Sequence, residues 1–203
     1  MHLEFLVEEL SAEDALKQLL PSLLPVSTTF ELRPYQGKGD LLKALPDRLR
    51  GYRAMMSPTY DLRIVVLVDR DKEDCVVLKS KLDTIASSAG LTPKVAAAGG
   101  NFHVLNRIAI EELEAWFLGD CEAIALAYPG FNPRLWHKPK FRDPDAIANT
   151  WETLERELSR VGHHLGGYRK VQGAREIAGY MDPVRNRSRS FQVFRDGLAE
   201  LTR

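Results

Sequence analysis

The sequence predicts an α/β protein: a central, mainly parallel sheet flanked by helices, with a helical carboxy-terminal segment. Three observations predict it. Residues 63–69 (RIVVLVD) form a nearly continuous β-branched and apolar run, as expected of a central parallel strand covered on both faces. Shorter strand-like runs alternate along the chain with stretches of helical periodicity. Alternation of this kind is the pattern of parallel sheets joined by right-handed crossovers.

Taken in order, residues 3–7 (LEFLV) read as a buried strand and residues 8–10 as a loop. A helix follows, capped by Ser11 and running to about Leu20, with Pro21 and Pro25 marking its exit. Residues 28–35 (TTFELRPY) alternate enough for a second strand, and the glycines of GKGD at 37–40 mark a turn. The helix over 41–52 contains Pro46, which is expected to kink or split it. After the strand at 63–69, DRDKED opens a helix over 75–89. Its apolar face is read as Val76, Val77, Leu78, Leu82 and Ile85. LTPKVAAAGG gives a short strand and a glycine break, and HVLNRIAI at 103–110 another strand leading into a helix through about Tyr128. Residues 129–145 form a Pro-rich basic loop; helices are expected over 146–161, about 171–179 and 190–201, the last capped by Ser190 and anchored by Phe191. Residues 1–128 form the α/β core and residues 129–203 an extension packed on it, a single domain overall.

Among the 203 residues, 44% are hydrophobic and 28% charged, which suits a globular chain able to bury a sizeable core. No apolar run approaches the roughly 20 residues that span a bilayer. The amino terminus carries acid where a secretory signal would be basic. Cys75 and Cys121 lie far apart, without metal-ligand spacing, and read as small core fillers. A cytoplasmic, thiol-reducing setting is expected. The net charge of zero argues against coating nucleic acid through bulk charge. Its distribution is uneven: residues 160–203 hold nine Lys or Arg against four acids, whereas the first twenty hold five acids and one Lys.

In such sheets ligand chemistry belongs at the carboxyl ends of the strands, and the notable acids fall there. Asp69 and Asp71 end the strongest strand, with Arg70 between them pointing elsewhere; two hard oxygen ligands at such an edge suit Mg²⁺ or Mn²⁺. The competing reading makes Asp71 a helix cap near Lys72. Glu8 follows the first strand as Asp69 follows the third, so the two loop tips are expected to meet; a carboxylate there holds a metal or transfers a proton to a leaving oxygen. Glu9 is its rival. Glu114, in a segment read as helical, shares a face with Ile110, Phe117 and Leu118, where an unpaired charge is costly and a cation is the natural partner. Glu111 lies one turn earlier and Asp120 about two turns later; the alternative leaves Glu114 exposed. Lys170 opens a helix beside Arg169, and is either a surface cation or a group neutralising charge on a phosphoryl group. His163 and His164 read as loop residues.

FLVEELSAED, YQGKGDLLKALPDRLRGY, IVVLVDRDKEDC, NRIAIEELEAWFLGD, KFRDPDAIANTWE, YRKVQGAREIA and NRSRSF, in this order, resemble domain-of-unknown-function family 4276 over essentially the whole chain. That family is similar to the TOPRIM domains paired with ABC-type ATPases in overcoming-lysogenization-defect nucleases and related bacterial phage-defence modules. The resemblance implies a TOPRIM-like, Rossmann-like fold in which Glu8 is the motif glutamate, Asp69 and Asp71 the DxD, Glu114 an acid for a second metal and Lys170 the carboxy-terminal lysine. It implies one or two Mg²⁺ (or Mn²⁺) ions and cleavage or transfer at DNA or RNA phosphodiesters, with Glu8 and Lys170 catalytic. The alternative is a non-catalytic or conditionally active subunit docked on an ABC-type ATPase. Glu9 stands where TOPRIM glutamates are usually followed by glycine, narrowing the approach of a nucleic-acid backbone. GKGD lacks the spacing of a P-loop.

Overall fold

The fold is taken from a computed structural model that describes residues 1–97 and 100–203. Four parallel strands, β1 (His2–Val7), β2 (Thr29–Pro34), β3 (Leu62–Asp69) and β4 (Val104–Ala109), form one sheet in the order β2-β1-β3-β4. The helices are α1 (Leu10–Leu23), α2 (Lys38–Met55), α3 (Cys75–Ser88), α4 (Glu114–Leu118), α5 (Cys121–Ala127), α6 (Thr150–Ser159), α7 (Lys170–Ala178) and α8 (Arg189–Leu201). The α/β class and the helical carboxy-terminal segment are as the sequence predicts. Among the described residues, no helix is long and apolar enough to cross a membrane.

Side chains alternate across each strand, so β1 and β3 bury both faces. Phe5, Val7, Val65 and Leu67 face α1, α7 and α8, whereas Leu6, Ile64, Val66 and Val68 face α2 and α3. The chain moves outward from β1 to β2 on the first face, then returns across β1 to β3 on the second. Reversal of direction coupled to change of face is what right-handed crossovers require. The order therefore switches between β1 and β3, and the carboxyl ends of those two strands flank the crevice where ligands bind in open α/β sheets. The extension is part of the first core: Ile177, Phe191, Phe194 and Leu198 share a cluster with Leu3 and Leu16.

Several boundaries differ from the sequence reading. Helix α1 begins at Leu10 after the N-cap Glu9 and continues through Pro21; Ser11 donates instead to the Glu9 carboxylate. Pro21 is tolerated because it lies in the last, exposed turn, where the carbonyl it leaves unbonded reaches solvent. Helix α2 starts at Lys38, inside the stretch read as a turn, and Pro46 does not split it, since Leu41, Leu45 and Leu49 hold both halves on the sheet. Val76 and Val77 are exposed, and Leu78, Leu82 and Ala86 are the buried face of α3. The expected short strand near residue 94 is a 3-10 turn, Lys94–Ala96; part of the expected glycine break, Ala98–Gly99, lies outside the described residues. The helix expected after the strand ending at Ile110, through about Tyr128, is two short ones, because Asp120 caps α5 by accepting the Ala123 N–H at 3.2 Å. Ser188, not Ser190, caps α8, accepting from the Phe191 N–H at 3.2 Å; Phe191 is an anchor, buried edge-on against Trp116.

Gly119, between α4 and α5, sits against the segment before α8. A Cβ there would press on Asn186 Oδ1 and come within 2.8 Å of the Ser188 backbone nitrogen. Gly119→Ala is expected to destabilise the fold by about 1–3 kcal/mol, read as a lower urea midpoint at constant slope; an unchanged midpoint would refute the close approach.

Candidate functional site

Glu8 leaves β1 just after the buried Val7, whose partner in β3 is Leu67. One more residue along, Glu8 Oε2 accepts the Asp69 backbone N–H at 3.1 Å. The loop after β2 is tied to the same residue, the Gly37 N–H donating to the Glu8 backbone carbonyl at 2.9 Å. Burial raises the Glu8 pKa above the ordinary 4.5, and the Asp69 N–H and the Lys38 charge only partly oppose the rise. Glu9, the rival, is engaged by Ser11 Oγ at 2.6 Å, but its charge is felt at Asp69, Glu114 and Lys170.

Asp69 ends β3 opposite Ala109. It keeps some accessible surface yet is enclosed on most sides, so burial lifts its pKa well above 3.8; Glu114, Glu8, Glu9 and Asp71 lift it further. Asp71 adopts a left-handed backbone conformation (φ 51°), held by its N–H on the Glu111 carbonyl at 2.9 Å. Its Oδ2 lies 2.6 Å from Lys38 Nζ. Asp71 does not cap α3; Asp74 does, accepting from the Val76 and Val77 N–H groups. Arg70 points away from both aspartates and pairs with Glu111.

Glu114 is the first residue of α4 and only 2% exposed, with Oε1 lacking a hydrogen-bond partner among the described residues. Burial raises its pKa to about 7, against the opposing pull of Lys170. Its predicted burial among apolar groups is correct, although the residues before it are not helical. Lys170 opens α7 with Nζ 5.3 Å from the centre of the Trp151 ring. Burial works against its charge, but Glu114, Glu112, Glu9 and Asp69 outweigh burial and hold its pKa above 10.5. Tyr168 Oη is buried without a partner among the described residues and lies in the field of Glu114.

The structure thus gathers Glu8, Asp69, Glu114 and Lys170 into one electrostatic group at the carboxyl edge, with Asp71 on its rim. Two acids do not join it. Glu111 pairs with Arg70, and Asp120 forms a bidentate bridge to Arg185 at 2.7 and 2.9 Å. His163 and His164 lie in a loop, bonded to the Pro129 carbonyl and the Tyr128 hydroxyl. Sequence reasoning missed Lys38. Its signal was available: a lysine following glycine at the end of β2 must emerge on the same edge as Glu8 and Asp69.

An all-oxygen donor set suits a hard divalent cation, and the unpartnered Glu114 Oε1 is a carboxylate oxygen with unused capacity. As the side chains stand, no three His, Cys, Asp or Glu residues among those described are close enough to hold an ion together. The reason is visible in the bonding: Glu8 is turned to the Asp69 N–H and Asp71 to Lys38. No curated protein and no solved structure matches the chain. The family model described as "Domain of unknown function (DUF4276)" matches residues 7–199, and the chain belongs to that family.

Proposed function

We propose that this protein is a TOPRIM-like, Mg²⁺- or Mn²⁺-dependent nuclease acting on DNA or RNA phosphodiesters. The observation that carries the reading is the Glu8 carboxylate seated on the Asp69 N–H where β1 and β3 end, at the switch in strand order. A glutamate after the first strand and a DxD after the third are thereby neighbours, with Glu114 and Lys170 in their field. Glu8, Asp69, Asp71 and Glu114 would hold one or two ions, which when bound supply an activated water and offset charge on the leaving oxygen. Glu8, whose pKa is raised, can carry a proton to that oxygen. Lys170, kept charged by the surrounding acids, would neutralise the anionic phosphate.

Wild-type protein should bind Mn²⁺ in calorimetry and cleave labelled DNA or RNA only with the ion present. Asp69→Asn should weaken binding by about a hundredfold or more, since loss of even an outer-sphere partner costs up to that much, and cleavage should vanish with it. Metal-dependent cleavage surviving that change would end the proposal.

A second reading, a conditionally active subunit docked on an ABC-type ATPase, is favoured by Val76 and Val77. They stand 76% and 67% exposed in the first turn of α3, beside the DxD loop. It expects the isolated chain to bind Mn²⁺ yet leave nucleic acid intact. Val76→Asp with Val77→Asp should then abolish association with the ATPase while sparing metal affinity.

A further inference from the structure

Lys38 stands between the two halves of the acidic motif. The N–H of its neighbour Gly37 bonds the Glu8 backbone carbonyl at 2.9 Å and the Lys38 charge is felt at the Glu8 carboxylate, while its side chain reaches across to the DxD loop. There Nζ bonds Asp71 Oδ2 at 2.6 Å, Glu73 Oε1 at 3.0 Å and the Arg70 carbonyl at 3.2 Å. All three donor positions of the ammonium are used, and all three acceptors belong to one loop.

This is not an ordinary surface ion pair. The Lys38 side chain is only 10% exposed, whereas Asp71 and Glu73 are 51% and 47% exposed. Lysine loses much rotamer freedom when fixed in this way, and exposed ion pairs return little for it. The loop it fixes includes Asp71 in a left-handed conformation that L residues other than Asn and Asp seldom adopt. An ammonium thus rests where the carboxylates of two separate loops converge, and it occupies Asp71, the motif aspartate on the rim of the group.

We infer that Lys38 is the built-in counter-cation of this acidic edge: it holds Asp71 aside, and a divalent ion must take Asp71 from it. The inference rests on the metal-centre reading above and adds a residue to it. Lys38 is a positioning residue. With the edge free of metal its ammonium offsets the Asp71 charge that Asp69 and Glu8 feel. Once Asp71 turns inward, the released ammonium stays at the start of α2 on the same edge, where a phosphate oxygen would be its next acceptor. The exchange is one of ion pairs alone; no covalent bond changes.

The test is a double-mutant cycle on Mn²⁺ affinity, measured by calorimetry in the whole protein: wild type, Lys38→Met, Asp71→Asn and the double variant. Lys38→Met should bind Mn²⁺ about tenfold tighter, equivalent to about 1.4 kcal/mol. In the Asp71→Asn background the same change should alter affinity by less than about twofold, because the contested ligand is gone. Lys38→Gln, which keeps a hydrogen-bonding strap without the charge, should tighten binding as Lys38→Met does and covers the case in which Met disturbs the loop. Equal or weaker binding in both lysine variants overturns the inference while leaving the metal centre intact. A gain that persists undiminished with Asp71→Asn also overturns it, since that reports only a charge at a distance. Absence of Mn²⁺ binding in every variant overturns both readings together.

Discussion

Glu114→Gln is expected to remove the Glu114 share of a pH-dependent loss of stability that the metal-free protein suffers between about pH 4.5 and 7. Burial raises the Glu114 carboxyl from 4.5 to about 7 in the folded chain. Through that window the folded state holds a proton that the unfolded state has released. Stability therefore falls as pH rises, the reverse of a salt-bridged carboxylate, and the full cost is reached above the folded value. At about 1.4 kcal/mol for each pH unit between the two values, the ionisation costs on the order of 3 kcal/mol. For a chain of this length that corresponds to roughly 6–12 °C in melting temperature. Burial raises the pKa of Asp69 and Glu8 as well, and both act with the same sign. His103 and His164, whose pKa values burial lowers, act with the opposite sign. The diagnostic quantity is thus the difference in pH slope between wild type and Glu114→Gln, in which groups outside the cluster cancel. The slope is also a better measure than absolute stability, because the substitution deprives Lys170 of its principal partner. Saturating Mn²⁺ should flatten the wild-type decline, since a bound cation does what protons do at low pH. Parallel slopes in the two proteins would show that the Glu114 carboxyl is not held out of solvent as the structure has it.

Much of this arrangement was legible in the sequence, for physical reasons that can be named. Strand β3 stood out because burial on both faces demands an unbroken apolar run, and Asp69 marks where that demand stops. Glu8 was legible for the same reason at the end of β1. Features set by tertiary partners were not legible. The apolar pattern from Ala115 to Ala127 runs on as if one helix continued, but Asp120 ends it because Arg185, 65 residues away, draws its carboxylate inward. Ser190 has the right character for a cap, yet its hydroxyl is taken by Trp116 Nε1 at 2.9 Å, and Ser188 caps instead. Val76 and Val77 fit a helical stripe, but α3 is rotated so that Leu78 and Leu82 meet the sheet. Lys38 was hidden by its glycines: GKGD reads as a turn, and only the helix it opens aims the lysine at the DxD loop.

Arg185→Ala is expected to lower stability by about 3 kcal/mol, the low end of the loss seen when one partner of a buried ion pair is removed, because Asp120 is fully buried while Arg185 stays a third exposed. The Asp120 side chain has no exposed surface and meets Arg185 through two parallel bonds. Without the guanidinium, only the N–H groups of Ala123 and Asp182 would remain to stabilise a buried negative charge. Asp120→Asn in the same chain should restore part of the loss, because the amide keeps the cap on α5 without the charge. The consequence reaches the candidate metal site through α4. A helix of five residues has too few internal bonds to persist by itself, so the position of Glu114 is imposed from outside. Asn186 Nδ2 bonds the Trp116 carbonyl at 2.8 Å, Ser190 holds the Trp116 indole, and the Arg187 N–H bonds the Gly119 carbonyl at 2.9 Å. These partners all lie in the segment that Arg185 pins to Asp120. Loosening it should weaken Mn²⁺ binding along with stability, whereas Arg195→Ala, which breaks a bond to the Pro183 carbonyl and an exposed pair with Asp196, should leave affinity unchanged. A stable Arg185→Ala protein with wild-type affinity would mean that the carboxy-terminal segment does not buttress the acidic edge.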